Sequence, residues 1–402
     1  MKKLKIIAGG RIIDPASGID KVGDVYITDE KIVKVETKKP LTQAEIKKFD
    51  KDEIYTAKGL IISPGLIDMH VHLREPGDEK SETLLSGGES AAAGGFTTIC
   101  CMPNTTPAID NQESIEFILR KANASPVRIY PIAAITKGRR GKELAEIGEL
   151  VSAGAVALSD DGSPVNTAEM MKKALDYTKM FDIPIIEHAE DLSLNGDGVM
   201  NEGYISTKLG MKGIPAVSEM VAVSRDILLS HYTGSRVHFA HISTASAVEL
   251  IRQAKKAKIK VTAEATPHHF SLYDEMIAES FDTNLKMSPP LRSKEDVRGI
   301  IKGLIDGTID CIASDHAPHS GESKDVEFNL APNGIIGLET SLGVAITYLI
   351  KKKYLNWKQL IKVMSTRPAE ILGLKAGQLK KGYPADITII PVSYTHLTLP
   401  TN

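Results

Sequence analysis

"LIDMHVHLREPG", residues 66–77, is an apolar run that ends in two histidines, His70 and His72, and is followed by Arg74 and a turn. Side chains of a β-strand alternate between its two faces, so imidazoles two residues apart point the same way. Two imidazoles on one face can share a single metal cation. The opposing interpretation is a pair of hydrogen-bonded core histidines, and the rest of the chain has to distinguish the two.

An apolar β-rich run occurs eight times in the chain, and most of these runs precede a helical stretch. Polar side chains stand at the end of every run except "VRIYPIAAI" (127–135). Between them lie amphipathic segments such as residues 244–257, where apolar side chains recur with the 3, 4, 7 spacing of a helix with one apolar face. The runs are "LIDMHVH" (66–72), "FTTICCMPN" (96–104), "VRIYPIAAI" (127–135), "AVALSDDG" (155–162), "IPIIEHAED" (183–191), "RVHFAHIS" (236–243), "IKVTAEATPHH" (259–269) and "DCIASDHAPH" (310–319).

Eight buried strands that alternate with helices predict an α/β protein whose parallel strands close into a (β/α)8 TIM barrel. The alternative is an open, doubly wound sheet that binds a dinucleotide, and such a sheet carries a G-x-G-x-x-G fingerprint after its first strand. The sequence "AAAGGFTT", residues 91–98, lacks that spacing. We therefore predict the barrel.

The two ends of the chain have a different pattern from the barrel region. Short alternating runs broken by turns predict that residues 1–60 form the N-terminal part of a small β-sandwich domain, and residues 376–390 its C-terminal part. The barrel then comprises residues 61–375. The last residues, 391–402, contain no Lys, Arg, Asp or Glu and form an atypical tail of non-native character. We expect this tail to pack poorly and its deletion to change activity little.

Composition excludes several classes of partner. The 402 residues include 49 basic and 51 acidic side chains, a net charge of −2, without a long run of either sign. Nucleic acid and anionic membrane surfaces are therefore poor partners. No stretch approaches the roughly 20 apolar residues of a membrane span. The three cysteines do not form a disulfide framework, so we expect a soluble cytoplasmic protein.

Reactive side chains occur at the ends of the predicted strands, where a barrel gathers them on one face. Imidazole and carboxylate ligands without thiolates are typical of an open catalytic zinc site and not of a closed structural one. Six ligands are too many for one tetrahedral ion, whereas two ions about 3.5–4 Å apart with one bridging carboxylate would use all of them. The candidate ligands are His70, His72, Asp161, His188, His241 and Asp315.

Each candidate also has an interpretation without a metal. Asp161 lies in "SDDGSP", which is typical of a turn, and His188 could be a core histidine. His238 competes with His241 for one role, and we assign His238 to the structure because it falls early in its strand. We regard His268, His269 and His316, the other histidines of these strand ends, as supporting or packing residues.

Taken together, the motifs of the chain resemble those of the class I dihydroorotases of the amidohydrolase superfamily, from about residue 4 to residue 390. The motifs are "GLIDMHVHLREPG", "MPNTTP", "SDDG", "EHAED", "HISTASAVELI", "TPHH", "KMSPPLR", "ASDHAPH" and "GIIGLETSL". The resemblance implies a (β/α)8 barrel with a small β-sandwich domain. It also implies the reversible, zinc-dependent cyclisation of N-carbamoyl-L-aspartate to L-dihydroorotate in pyrimidine biosynthesis.

The resemblance also implies roles for individual residues. One zinc would be held by His70, His72 and Asp315, and the other by His188 and His241. Asp161 matches the residue that bridges the two ions, where many relatives use a carboxylated lysine. Arg74 and Asn104 match residues that hold the substrate carboxylate. The substrate contacts implied in full are His72, Arg74, Asn104, Asn284, His319, Asn333 and Gly334.

The chemistry of the residues agrees with this assignment. Opening a cyclic amide requires a polarised carbonyl and a nucleophilic water, both of which a metal pair supplies. Asp315 ends the last strand beside a metal, so we assign it as general base and acid. The planar guanidinium of Arg74 can bind a carboxylate through two parallel hydrogen bonds.

Two other functions compete with this one. The first is another cyclic amidohydrolase, of the dihydropyrimidinase or allantoinase type, against which Arg74 with Asn104 argues because this pair suits a substrate with a carboxylate. The second is an inactive dihydroorotase-like partner subunit of aspartate carbamoyltransferase, which should have lost metal ligands. The resemblance leaves open a homodimer and an association with aspartate carbamoyltransferase, and it predicts a small-molecule substrate.

Overall fold

The computed structural model of the chain describes residues 4–391, so all but the first residue of the predicted tail 391–402 lies outside the described residues. The strands are β1 Lys5–Asp14, β2 Ile19–Thr28, β3 Lys31–Glu36, β4 Ile54–Thr56, β5 Leu60–Pro64, β6 Leu66–Val71, β7 Phe96–Cys101, β8 Arg128–Pro131, β9 Ile185–Glu187, β10 Met200–Asn201, β11 Gly213–Ile214, β12 Val237–Phe239, β13 Val261–Ala265, β14 Cys311–Ile312 and β15 Ile387–Pro391.

Helices separate most of the strands. They are α1 Gln43–Ile46, α2 Leu84–Ala93, α3 Gln112–Ala122, α4 Ile147–Ala153, α5 Ala168–Thr178, α6 Leu192–Asn195, α7 Tyr204–Leu209, α8 Ala216–Thr233, α9 Ala245–Lys256, α10 Pro267–Ser271, α11 Ile277–Ser280, α12 Lys294–Asp306, α13 Gly321–Lys324, α14 Ser341–Ala345, α15 Trp357–Ile361 and α16 Arg367–Leu372. Short 3-10 turns are Lys137–Arg139, Asp274–Met276 and Thr283–Leu285. The wider turns Ile346–Ile350 and Lys362–Thr366 continue α14 and α15.

Strands from both ends of the chain pair in one sheet. Its order is β15-β5-β1-β2-β3, and β4 pairs with β1. The last strand, β15, runs antiparallel to β5. The buried side chains of this sheet form their own apolar cluster, which includes Ile12, Val25 and Ile62. The chain therefore returns to its starting module after the long central region.

The central region contains two larger parallel sheets, with strand orders β6-β7-β8 and β9-β12-β13-β14, and a short parallel pair, β10-β11. Isolated parallel bridges connect the two larger sheets, because Leu158 pairs with both Ala133 and Ile185, and Val71 pairs with His316. The fourth predicted strand, in residues 155–162, is thus reduced to a single bridging residue. The turn residues Asp161 and Gly162 end this run.

The helix α9 illustrates how the sequence builds the outer layer. The side chain of Thr244 accepts a hydrogen bond from the Ala247 amide at 3.1 Å and so caps the helix. Its buried side chains are Ala247, Val248, Ile251 and Ala254. The spacing of the sequence predicts Leu250 in place of Val248, and Leu250 is only partly buried beside them. Within residues 4–391, no helix combines the length and hydropathy that crossing a lipid bilayer requires.

A second, smaller cluster lies among the strands themselves. It contains Met69, Cys100, Ile186, Ala240 and Cys311, which come from different strands and are at most 2% exposed. The three cysteines, Cys100, Cys101 and Cys311, are all buried and free. These apolar side chains support the polar strand ends that follow them in sequence.

Candidate metal centre and substrate pocket

The six predicted ligands lie together where the parallel strands end. His70 lies in β6 and His72 directly after it, Asp161 follows the bridge at Leu158, and the other three follow β9, β12 and β14. All six are buried, with exposed fractions of 7% or less. The fold therefore brings residues as far apart in the chain as 70 and 315 into one polar cluster.

The carboxylate of Asp161 lies among the four histidines. Its Oδ1 atom is 3.5 Å from His70 Nε2, 3.4 Å from His188 Nδ1 and 3.4 Å from His241 Nε2. Its Oδ2 atom is 3.4 Å from His72 Nε2. Two ligands of one tetrahedral zinc ion, each about 2.05 Å from it, lie about 3.3 Å apart. These separations fit ligand atoms that share cations better than they fit direct hydrogen bonds.

Asp315 completes the cluster on the side of the first strand. Its Oδ1 atom lies 3.0 Å from His72 Nε2 and 3.5 Å from His70 Nε2. Ligand atoms within 4.8 Å of one another occur in His70, His72 and Asp315, and again in His70, Asp161 and His241. The geometry therefore offers two overlapping groups of nitrogen and oxygen ligands, a combination that suits zinc.

Two buried atoms of the cluster test whether a metal fits. His70 Nε2 and Asp161 Oδ1 are buried and have no hydrogen-bond partner. A buried polar atom without a partner costs free energy, so native proteins rarely leave one unexplained. Both atoms face the other ligands at metal-like separations, and a divalent cation would satisfy both. The residues present therefore fit the metal that the ligand types indicate.

Further polar residues orient the ligand imidazoles. Asn104 Oδ1 accepts a hydrogen bond from His72 Nδ1 at 2.7 Å, and Glu190 Oε2 lies 3.2 Å from His188 Nε2. Each contact leaves the other ring nitrogen facing the cluster, which is how metal-bound histidines are usually supported. Asn104, predicted as a substrate contact, therefore has this additional role. Glu190 was missed, although it follows His188 in "EHAED".

Glu264 is the other residue that sequence reasoning missed. It lies in β13, is 0% exposed, and its Oε1 atom is 2.6 Å from His70 Nδ1. A glutamate inside the apolar run "IKVTAEATPHH" was the available signal, because a buried carboxylate requires partners. Burial raises the pKa of Glu264, but His70 and His238 outweigh burial and lower it to about 2.

The electrostatics of the cluster favour positive charge. Burial raises the pKa of Asp161, but the surrounding histidines, His70 above all, hold it well below its usual value. Burial lowers the pKa of His188, but contacts with Asp161 and Glu190 outweigh it and raise the value to about 10. A divalent cation brings the favoured sign of charge and displaces imidazole protons when it binds.

A second group of predicted residues lies on the loops beside the cluster. Arg74 has a positive φ of 57° and donates from Nε to the carbonyl of Pro318 at 3.0 Å. Its Nη2 atom lies 3.4 Å from His319 Nε2, which in turn lies 2.7 Å from the carbonyl oxygen of Asn333. Burial is the main cause that lowers the pKa of His319 to about 4, so this ring is neutral at pH 7.

Gly334 is required where this loop passes His319. Its φ is +146°, and a Cβ atom added there would lie 2.9 Å from His319 Nε2 and 2.5 Å from the carbonyl oxygen of Ala317. A larger residue would therefore displace either the histidine or the backbone. The structure thus brings Arg74, His319 and Gly334 close together beside the cluster.

Lys324 connects this loop to the turn that carries Asn284. Its Nζ atom donates to the carbonyl oxygen of Thr283 at 3.0 Å and to that of Pro332 at 2.9 Å. The Asn284 amide itself donates to Asp282 Oδ1 at 2.9 Å within the turn. The loops around residues 284 and 333 are therefore linked by this buried ammonium group and by a main-chain hydrogen bond from Gly334 to Lys286.

Comparison with known proteins agrees with this geometry. Residues 59–247 match the family model described as dihydro-orotase-like. The dihydroorotase of Geotalea daltonii is 51% identical over 385 residues, which is 96% of this chain and 88% of that protein. The dihydroorotases of Syntrophotalea carbinolica and Acetivibrio thermocellus are each 49% identical, again over 96% of this chain, and the match covers 88% and 89% of those proteins.

Solved structures of lower identity share the fold. The L-hydantoinase (dihydropyrimidinase) from Arthrobacter aurescens superposes with a TM-score of 0.84 at 24% identity and covers 96% of this chain and 86% of its own. The dihydropyrimidinase from Brevibacillus agri gives a TM-score of 0.80 at 24% identity, with 96% and 85% of the two chains covered. At this identity the likeness concerns the architecture alone.

Proposed function

Because this chain belongs to the dihydroorotase family, we propose that it catalyses the reversible cyclisation of N-carbamoyl-L-aspartate to L-dihydroorotate in de novo pyrimidine (UMP) biosynthesis. In the reverse direction the enzyme hydrolyses a cyclic amide. The observation that carries this function at the site is the Asp161 carboxylate, which lies 3.4–3.5 Å from four histidine nitrogens beside the arginine pocket. About 50% identity to dihydroorotases over 96% of the chain supports the same conclusion.

The parallel strands belong to one (β/α)8 barrel of the amidohydrolase type, residues 61–375. The bridges at Leu158 and between Val71 and His316 support this, because they join the two parallel sheets at both ends into eight successive positions. Residues 1–60 and 376–390 form a separate small β-sandwich domain, supported by the pairing of β15 with β5.

Two zinc ions would be held at this centre. His70, His72 and Asp315 would bind the first and His188 and His241 the second, with Asp161 between the two sets of ligands. Cations at these ligands supply Lewis acidity, which lowers the pKa of a coordinated water and offsets negative charge on the amide oxygen. Support comes from the two unpartnered buried atoms, His70 Nε2 and Asp161 Oδ1, which both face the shared space.

Asp315 moves the proton of the reaction. In hydrolysis, its carboxylate takes a proton from the attacking water and returns it to the ring nitrogen as the carbon–nitrogen bond breaks. In cyclisation the same proton travels the other way. Burial raises the pKa of Asp315, but nearby histidines outweigh burial and lower it below its usual value, so the residue begins hydrolysis as the base.

The loop pocket selects the substrate. Arg74 binds the carboxylate that distinguishes dihydroorotate from dihydrouracil, and the NH2 group of Asn104 assists, since its oxygen is held by His72. Within residues 4–391 the half-buried guanidinium donates to a carbonyl, lies near an imidazole and forms no ion pair with a carboxylate, which leaves its charge for a ligand. Remaining contacts to the substrate come from His72, Asn284, His319, Asn333 and Gly334.

The competing functions are less well supported. A dihydropyrimidinase or an allantoinase would not need Arg74, and the hydantoinase structures resemble this chain at only 24% identity. An inactive partner subunit of aspartate carbamoyltransferase would not need six buried ligands, all of which are present. We place the enzyme in the cytoplasm, consistent with three free cysteines. A second copy of this chain and aspartate carbamoyltransferase are the two protein partners that we propose to test.

Metal content and turnover measured on one preparation test this function. The protein should contain two divalent ions per chain, hydrolyse dihydroorotate faster than dihydrouracil, lose activity to a chelator and regain it with Zn²⁺. Full activity after exhaustive chelation would contradict the metal mechanism. A preference for dihydrouracil would instead assign the protein to the dihydropyrimidinases.

A further inference from the structure

Glu264 contacts residues that belong to both proposed ion sites. It lies in β13 and is 0% exposed. Its carboxylate is 2.6 Å from His70 Nδ1, 3.2 Å from the main-chain nitrogen of His241 and 3.1 Å from His238 Nε2. We propose that Glu264 is a positioning residue that sets the ligand geometry of both ion sites at once, and so couples the binding of the two ions. The inference rests on the binuclear centre proposed above.

The first contact determines which nitrogen of His70 faces the metal. A carboxylate can only accept, so the Nδ1–H group of His70 donates to Glu264 Oε1 and Nε2 keeps its lone pair. That Nε2 atom is the one near Asp161 and Asp315. Glu264 therefore selects both the tautomer and the ring orientation of a ligand of the first ion.

The second contact acts on the backbone of a ligand of the second ion. His241 has a φ of +31°, a left-handed conformation that is costly for a residue with a side chain. Its N–H donates to the same Oε1 atom of Glu264 that accepts from His70. This hydrogen bond stabilises the conformation that directs His241 Nε2 to within 3.4 Å of Asp161.

The third contact prevents the carboxylate from rotating. The Nε2–H group of His238 donates to Glu264 Oε2, and His238 Nδ1 lies 2.8 Å from the hydroxyl of Thr262. Both Glu264 oxygens are therefore engaged. Oε1 accepts from His70 and from the main-chain nitrogen of His241, and Oε2 accepts from His238. His238, which the sequence suggests is structural, acts through Glu264 and not as a ligand.

Glu190 provides a matched comparison within the same site. It is also a buried glutamate, but within residues 4–391 it contacts a single candidate ligand, His188, from Oε2 to Nε2 at 3.2 Å. Loss of its charge should therefore affect only the second ion. Glu264, by contrast, contacts ligands of both ions, so its loss should affect both.

The experiment titrates Zn²⁺ calorimetrically into chelator-treated protein carrying Glu264→Gln or Glu190→Gln. The unmodified protein should bind two ions. Glu264→Gln should weaken both by about 10- to 100-fold, the usual effect of removing a partner of a metal-bound histidine, whereas Glu190→Gln should weaken one. With Co²⁺ in place of Zn²⁺, the visible absorption of both sites should change in Glu264→Gln. Thermal unfolding of each metal-free variant shows whether it is folded.

Equal affinities in Glu264→Gln and the unmodified protein, or a loss confined to one ion, would overturn the inference while leaving the binuclear centre intact. An unmodified protein that binds fewer than two ions would overturn the proposed centre itself. If Glu264→Gln does not fold, His238→Asn takes its place, because it frees one oxygen of Glu264 without touching a ligand. His238→Asn should then lower both affinities, and unchanged affinities would contradict the coupling.

Discussion

The candidate metal centre and the proposed substrate pocket adjoin each other but are built differently. The candidate ligands are buried side chains at strand ends, and three of the four histidines have a polar partner on the nitrogen turned away from Asp161 or Asp315. The proposed pocket residues Arg74 and His319 are only partly buried and lie on loops. They mainly contact main-chain carbonyl groups, those of Pro318 and Asn333.

This difference separates two tasks. Metal ligands tolerate errors of only a few tenths of an ångström, so they are placed on the sheet, where the packing below them is dense. Recognition of a substrate carboxylate requires a donor fork that can be supplied from a loop, and loops can change without disturbing the sheet. If the two regions are separable, substitutions in the centre should remove ions, and substitutions in the pocket should not.

The largest effect is expected at the centre itself. His72→Ala should remove one ion and nearly all turnover, because His72 Nε2 lies near both Asp161 and Asp315. Loss of a mere supporting partner costs about 10- to 100-fold, so loss of a ligand should cost more than about 10³-fold. Metal analysis and dihydroorotate hydrolysis on the same sample measure both quantities. Retention of two ions would show that His72 is not a ligand.

A substitution of Asp315 tests whether this one residue both binds a metal and carries the proton. Asp315→Asn should lower the turnover number by about 10²–10⁴-fold, the usual cost of losing a general acid or base. Since the amide can still bind a metal weakly, the ion content has to be measured alongside. A variant that keeps both its ions and its rate would exclude the assigned role.

A substitution of Arg74 tests, from the side of the pocket, whether the pocket and the metal centre are separable. Arg74→Ala should lower kcat/KM for dihydroorotate by roughly 30- to several-thousand-fold, the effect of about 2–5 kcal/mol for an unpaired buried charge, and leave both ions bound. Arg74→Lys should recover only part of the loss, because an ammonium group cannot form two parallel bonds. A change within about threefold would show that Arg74 is a surface residue that does not bind the substrate. Loss of an ion would show that the pocket and the metal centre are not separable.

The smallest effect is expected at Lys324, which holds two pocket loops together. Burial is the main cause that lowers the pKa of this ammonium group from 10.5 to about 8. Between these values the unfolded chain binds a proton that the folded protein has released, so stability rises with pH. From pH 8 to pH 10 the unmodified protein should gain on the order of 1 kcal/mol over Lys324→Met.

Urea unfolding at several pH values measures this gain, and Lys324→Met provides the matched control because it removes the titrating group at similar length. Parallel pH profiles of the two proteins would contradict the assigned pKa. Both ions should remain bound in Lys324→Met, since the residue ties loops rather than ligands. Loss of an ion there would show that the pocket loops support the centre.

The candidate ligands could be selected from sequence because their signal is local. His70 and His72 are two residues apart at the end of one apolar run, and strand alternation alone places them on one side. In the later runs, reactive side chains at the strand ends indicated Asp161, His188, His241 and Asp315, and the parallel arrangement of strands predicted that they meet. The structure brings all six together in one buried cluster.

What only the tertiary structure decided are contacts whose partners are remote in sequence. Glu264 reaches His70 across 194 residues, and Arg74 reaches His319 across 245. The fourth run became one bridging residue, Leu158, which pairs with Ala133 and Ile185. Local spacing determines which way a side chain points along its own strand, whereas the residue opposite depends on how strands are ordered and staggered. The sequence therefore predicts the candidate ligands, whereas the assembled sheet determines which residues position them.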